Sequence, residues 1–150
     1  MTTSSLSAHP ILYGTLTVGT LDALDAIVFF GLRSGATPSR IFQSIAAGVY
    51  GRASYQMGIH SAGLGVILHY VIAFLIVSAF YVVSRYVPML REQTLIAGVL
   101  YGVAVYFVMN YAVIPMSATS RGPFALPVFV NGLLIHALGV GLPAAWFARG

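Results

Sequence analysis

The chain is short of charge, and this shortage excludes most classes of soluble protein. Only 7% of its 150 residues are charged, against about a quarter in a typical soluble domain. Hydrophobic residues make up 59% of the chain, and the mean hydropathy is +0.91. Too little polar surface is present to cover a globule in water. We therefore expect the lipid bilayer to be the solvent and partner of this protein.

Cysteine and lysine are both absent. Without cysteine the chain cannot form disulfides, thiolate metal sites or covalently attached c-type haem. The basic residues are seven arginines, which fall singly near the ends of apolar runs, where a guanidinium can reach lipid headgroups. They form no basic cluster, and no exposed aromatic platform accompanies them. We therefore expect no nucleic-acid partner.

Four apolar segments are each long enough to cross a bilayer, which takes about 20 residues as a helix. They cover residues 11–32, 59–85, 94–117 and 128–148. Residues 1–10 lack the basic segment and the small-residue cleavage site of a signal peptide, so we expect the first span to be retained. Because backbone polar groups must be satisfied inside lipid, the sequence predicts an all-α membrane protein with four transmembrane helices in a single domain, 1–150.

The connection between the first two spans, "TPSRIFQSIAAGVYGR", has a pattern of its own. Thr37 is suited to be an N-cap, and Pro38 would occupy the first helical position. Apolar residues then recur at helical spacing, namely Ile41, Phe42, Ile45 and Val49. The segment is too short to span, so it predicts a short amphipathic helix in the membrane interface between the first and second spans. A re-entrant segment and a helix that covers the end of the bundle are the alternatives.

Five polar residues inside the spans are predicted to lie at one depth. Two of the three acidic residues, Asp22 and Asp25, are in the first span. With a rise of about 1.5 Å per residue, all five lie roughly 10–16 Å from the end of the bundle that carries the first and third connections. The predicted buried polar cluster consists of Asp22, Asp25, His69, Asn110 and His136.

Ionisable residues within a membrane are costly and mark proton or ion pathways by default. Our leading hypothesis is therefore a cluster that senses or conducts protons or small ions. Three alternatives remain open. The side chains could be hydrogen-bonded glue between helices, or could hold a metal ion, or His69 and His136 could be the axial ligands of a b-type haem.

No sequence pattern supports an enzymatic role. We find no nucleophile elbow, Gly-rich phosphate loop, HExxH motif or paired-carboxylate hydrolase pattern, and we predict that the protein is not an enzyme. The alternative function is a non-enzymatic accessory subunit of a larger membrane complex. "GVLYG" (Gly98 to Gly102) has small residues four apart, which favours either an internal helix contact or the seam of a homo-oligomer.

Three stretches, "GVILHYVIAFLIVSAFYVVSRYVPML", "GVLYGVAVYFVMNYAVIPMSA" and "NGLLIHALGVGLP", carry a family resemblance. Together they resemble a group of small, uncharacterised bacterial inner-membrane proteins and, more distantly, the YagU-like family, which has been linked to acid resistance. The positions that match are His69, Tyr81 with Pro88, Pro115 and His136. The resemblance implies a multi-pass protein of the bacterial inner membrane. Asp22 and Asp25 have no counterpart in the YagU-like pattern.

Overall fold

The computed structural model describes residues 8–150, and the prediction made for residues 1–7 lies outside this range. The described chain consists of helices and their connections, with no strand between residues 8 and 150. Four helices are long and apolar enough to cross a membrane: Ala8–Ser34, Ile59–Tyr86, Thr94–Met116 and Leu126–Ala148. We call them the first to fourth spans. The predicted all-α fold with four helices long and apolar enough to span a membrane is therefore confirmed.

A shorter helix, Pro38–Tyr50, connects the first and second spans and begins where the sequence predicts. The Thr37 hydroxyl accepts a hydrogen bond from the backbone N–H of Arg40 at 3.2 Å, as an N-cap does. The helix ends at Gly51, whose φ of +58° is a left-handed conformation that glycine adopts without strain. A 3₁₀ turn, Gly51–Gln56, then leads into the second span.

This connecting helix buries Ile41 of the predicted apolar face, but it also buries residues outside that face. Gln43, Ala46 and Ala47 are buried, whereas Val49 is 56% exposed. The reason lies in Gly65 of the second span, because a Cβ at that position would overlap the backbone carbonyl of Phe42. Small side chains therefore face the second span, and the two backbones come into contact. The connecting helix packs against the bundle, and its position relative to the membrane interface stays a prediction.

A chain of hydrogen bonds fixes this contact. The Gln43 side-chain amide donates to the carbonyl of Gly58 at 3.0 Å. The Ser54 hydroxyl donates to the carbonyl of Gln43, and the Ser61 hydroxyl donates to the carbonyl of Ser54, each at 2.6 Å. Since Ser54 and Ser61 are fully buried, these bonds satisfy polar groups that would otherwise be costly inside the protein.

One half of the bundle is closely packed around the end of the fourth span. Ala144, Ala145 and Ala148 have at most 1% of their surface exposed, and the fourth span contacts all three of the others. The "GVLYG" segment is part of this packing. A Cβ at Gly102 would overlap the carbonyl of His136, and one at Gly141 would overlap the carbonyl of Gly98. The small-residue pattern is therefore an internal contact between the third and fourth spans.

Large apolar side chains are exposed along the spans, as a lipid-facing surface requires; Leu12, Leu75, Leu100 and Leu134 are each at least half exposed. Arginine guanidiniums lie over aromatic rings at both ends of the bundle, which suits the boundary between lipid and water. The pairs are Arg40 with Tyr55 and Arg121 with Tyr111 at one end, and Arg85 with Tyr81 and Arg149 with Trp146 at the other.

Candidate functional site

A cavity of about 1040 Å³ occupies the half of the bundle that carries the first and third connections. All four spans and the connecting helix line it. Its outer end is lined by the exposed residues 121–124, and its inner end by Val18, Ala73 and Val140, which also belong to the packed apolar core. A backbone hydrogen bond of 2.9 Å from Ala118 to Gly48 joins the third connection to the connecting helix at the side of the cavity. The cavity therefore opens at one end of the bundle and is closed towards the other by apolar side chains.

Four of the five predicted polar residues line this cavity, and Asp25 does not. The four are Asp22, His69, Asn110 and His136. Within the described range, 8–150, none of the five forms a hydrogen bond or ion pair with another, and of the two histidines only His69 is buried. The structure thus gives no support to a buried Asp/His cluster. It shows instead separate polar groups around one space.

His69 is held between the first and second spans. Its Nε2–H donates to the carbonyl of Gly19 at 2.7 Å, and its ring lies edge-on to the rings of Phe42 and Tyr70. The missing side chain of Gly19 permits this approach, because a Cβ there would collide with the ring of Tyr70. A second bond of 3.0 Å joins the Thr20 and Tyr70 hydroxyls. His69 is therefore a link between helices that also borders the cavity, which is what the glue hypothesis describes.

His136 is held within its own span. Its Nδ1–H donates to the carbonyl of Gly132 at 2.9 Å, and its ring lies edge-on to that of Tyr106. In the neutral ring this bond leaves Nε2 as a lone-pair acceptor. For His69 the corresponding acceptor is Nδ1. Both imidazoles are thus fixed through one nitrogen, with the other available on a side chain that lines the cavity.

Asp25 pairs with a residue that the predicted cluster does not contain. The side-chain amide of Asn131, in the fourth span, donates to its Oδ2 at 2.7 Å. Asn131 lies inside the fourth span, Leu126–Ala148, about one and a half helical turns after its start. The sequence does contain an indication that Asn131 pairs with another helix. It is the one amide side chain in the fourth span, and a polar side chain in lipid needs a partner on another helix.

Asn110 does not lie at the depth of His136. The third and fourth spans run antiparallel with Gly102 against His136 and Tyr106 against Gly132. Continuing this register puts Asn110 about two helical turns closer to the open end than His136. Its amide donates to the carbonyl of Tyr106 on its own helix at 2.9 Å. Asn110 therefore borders the outer part of the cavity, and the single level expected for the five residues does not include it.

Two π-helical segments shape the wall formed by the third and fourth spans. They cover Met109–Val113 and His136–Gly141, and each ends two residues before a proline, Pro115 and Pro143. Proline removes an N–H and crowds the carbonyl four residues earlier, and a wider turn relieves that crowding. Asn110 lies in the first segment and His136 begins the second. The prolines thus determine the positions of the π-helical turns from which these two side chains project.

The donor groups around the cavity bear on the metal hypothesis. No group of three or more His, Asp or Glu side chains is close enough to hold a metal ion in the part of the chain that the structure describes. The haem hypothesis needs only His69 and His136, and it stays a prediction that an absorption spectrum of the purified protein tests.

The fold and the cavity define the class of protein, which is a four-span membrane protein with a cavity open to one end. No family model, curated protein or solved structure matches the chain. The resemblance to the YagU-like family therefore stays a prediction. The function has to be argued from the cavity itself.

Proposed function

We propose that this protein is a non-enzymatic binding protein of the bacterial inner membrane, which takes up protons and small solutes from one face into the cavity between its spans. The observation that carries the proposal is the cavity of about 1040 Å³, bordered by Asp22, His69 and His136 and closed by Val18, Ala73 and Val140. Binding then serves sensing, with no path for conduction through the bilayer.

The size and lining of the cavity favour a solute larger than a single ion. Small-molecule sites are clefts of about 300–1,000 Å³ that combine apolar walls with a few polar groups. This cavity is at the upper end of that range. Asp22 supplies a carboxylate, and each histidine supplies a nitrogen acceptor, so protons and hydrogen-bond donors have places to bind. The apolar inner end opposes further passage, because an ion there would lose its hydration without gaining a partner.

Cysteine accessibility tests the proposal directly, because the chain has no cysteine of its own. Ser44 and Ser117 line the cavity, whereas the hydroxyl of Ser78 is buried in the second span away from it. We expect Ser44→Cys and Ser117→Cys in reconstituted vesicles to react with a membrane-impermeant thiol reagent added on one side only. Ser78→Cys, the matched control, should react from neither side.

A proton-flux measurement on the same vesicles separates uptake from conduction. We expect a proton leak no greater than that of protein-free vesicles. A large flux that Asp22→Asn abolishes would show that the protein conducts protons. Failure of both cavity cysteines to react from either side would show that the cavity is not open to water, and the proposal would be wrong.

A further inference from the structure

The charge distribution of the cavity indicates which class of solute it accepts. Asp22 carries the only carboxylate among the residues that line it. Between residues 8 and 150 no side chain donates a hydrogen bond to Asp22 or forms an ion pair with it, whereas Asp25 has Asn131 as its partner. A carboxylate in a membrane-spanning helix is stabilised by an opposite charge or by hydrogen-bond donors. The Asp22 side chain is partly exposed to the cavity, so such a partner can come from a bound solute.

The other polar groups of the cavity also suit a cation. In the neutral form of the ring, His69 and His136 each use one N–H for a backbone carbonyl and leave a lone-pair nitrogen, which accepts hydrogen bonds. The one arginine in the lining, Arg121, lies at the open end with its guanidinium 4.5 Å from the centre of the Tyr111 ring. The inner part of the cavity is therefore acceptor-rich, and its positive charge is at the outer edge.

Aromatic side chains form much of the remaining wall. They are Tyr106, Phe124 and Phe129, together with Tyr55 and Tyr111, whose rings already carry the guanidiniums of Arg40 and Arg121. Aromatic faces attract cations, and their edges and the aliphatic residues around them accommodate an apolar body. A small inorganic cation would leave these walls unused, whereas an organic cation would contact both the carboxylate and the rings.

We propose that the cavity binds a lipophilic organic cation, with Asp22 as its counter-ion and the aromatic walls around its apolar body. This inference rests on the proposed function, because it requires that solutes reach the cavity. It adds the sign of the charge, the apolar character of the solute and the residue that recognises the charge.

A pair of probes with the same shape and opposite charge tests the proposal. Tetraphenylphosphonium is a cation, and tetraphenylborate is an anion with the same four phenyl rings. Binding of each to the full-length protein in mild detergent is measured by equilibrium dialysis. We expect the cation to bind at least tenfold more tightly than the anion, and Asp22→Asn to weaken cation binding by about tenfold or more, because a partly desolvated ion pair loses one partner.

Asp25→Asn is the matched control, since Asp25 lies outside the cavity and an asparagine can still bond to Asn131. It should leave the affinity for the cation within about twofold of the original value. Asp22→Glu keeps the charge and should retain binding. It separates the loss of the charge from a general structural defect caused by substitution at position 22. Equal affinity for the two probes, or an unchanged affinity in Asp22→Asn, would overturn the inference.

The two proposals fail in different ways. If the cavity cysteines react with the thiol reagent but the cation does not bind, the cavity is open to water and only the choice of solute is wrong. If the cysteines do not react, the proposed function fails first, and the cation proposal fails with it.

Discussion

The two halves of the bundle are held together by different forces. In the half around Ala144 and Ala145, glycine and alanine let the helix backbones touch, and the apolar core has few polar atoms. In the half that contains the cavity, individual side-chain hydrogen bonds also link the helices, such as His69 to Gly19 and Asn131 to Asp25. In lipid no hydrophobic force drives helices together, so close packing and hydrogen bonds are the available means. Where packing is complete there is no room for a solute. Beside the cavity, hydrogen bonds hold the helices where close packing is interrupted.

The comparison predicts that backbone contacts between the spans contribute more to stability than any single hydrogen bond beside the cavity. Gly102→Ala is the strongest test, because the new Cβ would overlap the carbonyl of His136, which is backbone and cannot move aside cheaply. We expect the free energy of unfolding to fall by about 3 kcal/mol or more, at the upper end of overpacking effects. The measurement is unfolding in mild detergent, followed by circular dichroism.

Gly63→Ala provides the control for Gly102→Ala. It makes the same substitution in a span, but nothing lies within 4 Å of the position of its Cβ. We expect no loss of stability, and alanine should favour the helix slightly. Equal effects of the two substitutions would show that the third and fourth spans do not touch as described.

An exchange of the Asp25–Asn131 pair tests the open half. Asn131→Asp would place two carboxylates within hydrogen-bond distance of each other, and we expect a loss of about 1–3 kcal/mol in the free energy of unfolding. The double variant Asp25→Asn with Asn131→Asp restores one carboxylate and one amide in swapped positions. It should recover most of the loss, since contacting residues are energetically coupled. Additive losses in the double variant would show that these side chains do not pair.

Removing one hydrogen bond in each half of the bundle should have a smaller effect on stability. His69→Phe removes the bond to Gly19 beside the cavity, and Tyr101→Phe removes the bond of 2.6 Å from the Tyr101 hydroxyl to the carbonyl of Ile76. Interhelical bonds of this kind contribute about 0.6 kcal/mol on average in membranes. We expect both variants to lose about this amount in the same unfolding assay. A loss of several kcal/mol for His69→Phe alone would mean that the open half depends on one bond.

The four spans could be predicted from sequence because length and hydropathy are local properties. The predicted bounds differ from the observed ones by three residues or fewer at each end. The partners of the polar residues could not be predicted to the same degree. They depend on the rotation of each helix about its axis and on the register between neighbouring helices. Asp22 and Asp25 are three residues apart, a spacing that places two residues on one side of a helix, yet one lines the cavity and the other bonds to Asn131. Helical spacing restricts which residues lie near each other on one helix. It does not say which neighbouring helix each of them meets.

The connecting helix shows the same limit of prediction from sequence. Its start at Thr37 and Pro38 follows from local rules for capping. Its buried face follows only in part from its apolar spacing: Ile41 is buried as the spacing predicts, but Gly65, on another helix, decides how closely the backbone can approach. A glycine that permits backbone contact can outweigh a stripe of larger apolar residues, since the exposed stripe can still face lipid or the cavity.

The smallest expected effect concerns a polar atom in the packed half that has no partner. The hydroxyl of Thr15 is buried and forms no hydrogen bond with residues 8–150. Thr15→Val replaces it with a methyl group of similar shape and removes the cost of a buried, unsatisfied donor. We expect the free energy of unfolding to stay unchanged or to rise by up to about 1 kcal/mol, whereas the same exchange of Thr20, whose hydroxyl is bonded to Tyr70, should lower it slightly. If Thr15→Val is clearly destabilising, the hydroxyl has a partner that it reaches by rotation, and hydrogen bonding contributes to the packed half as well.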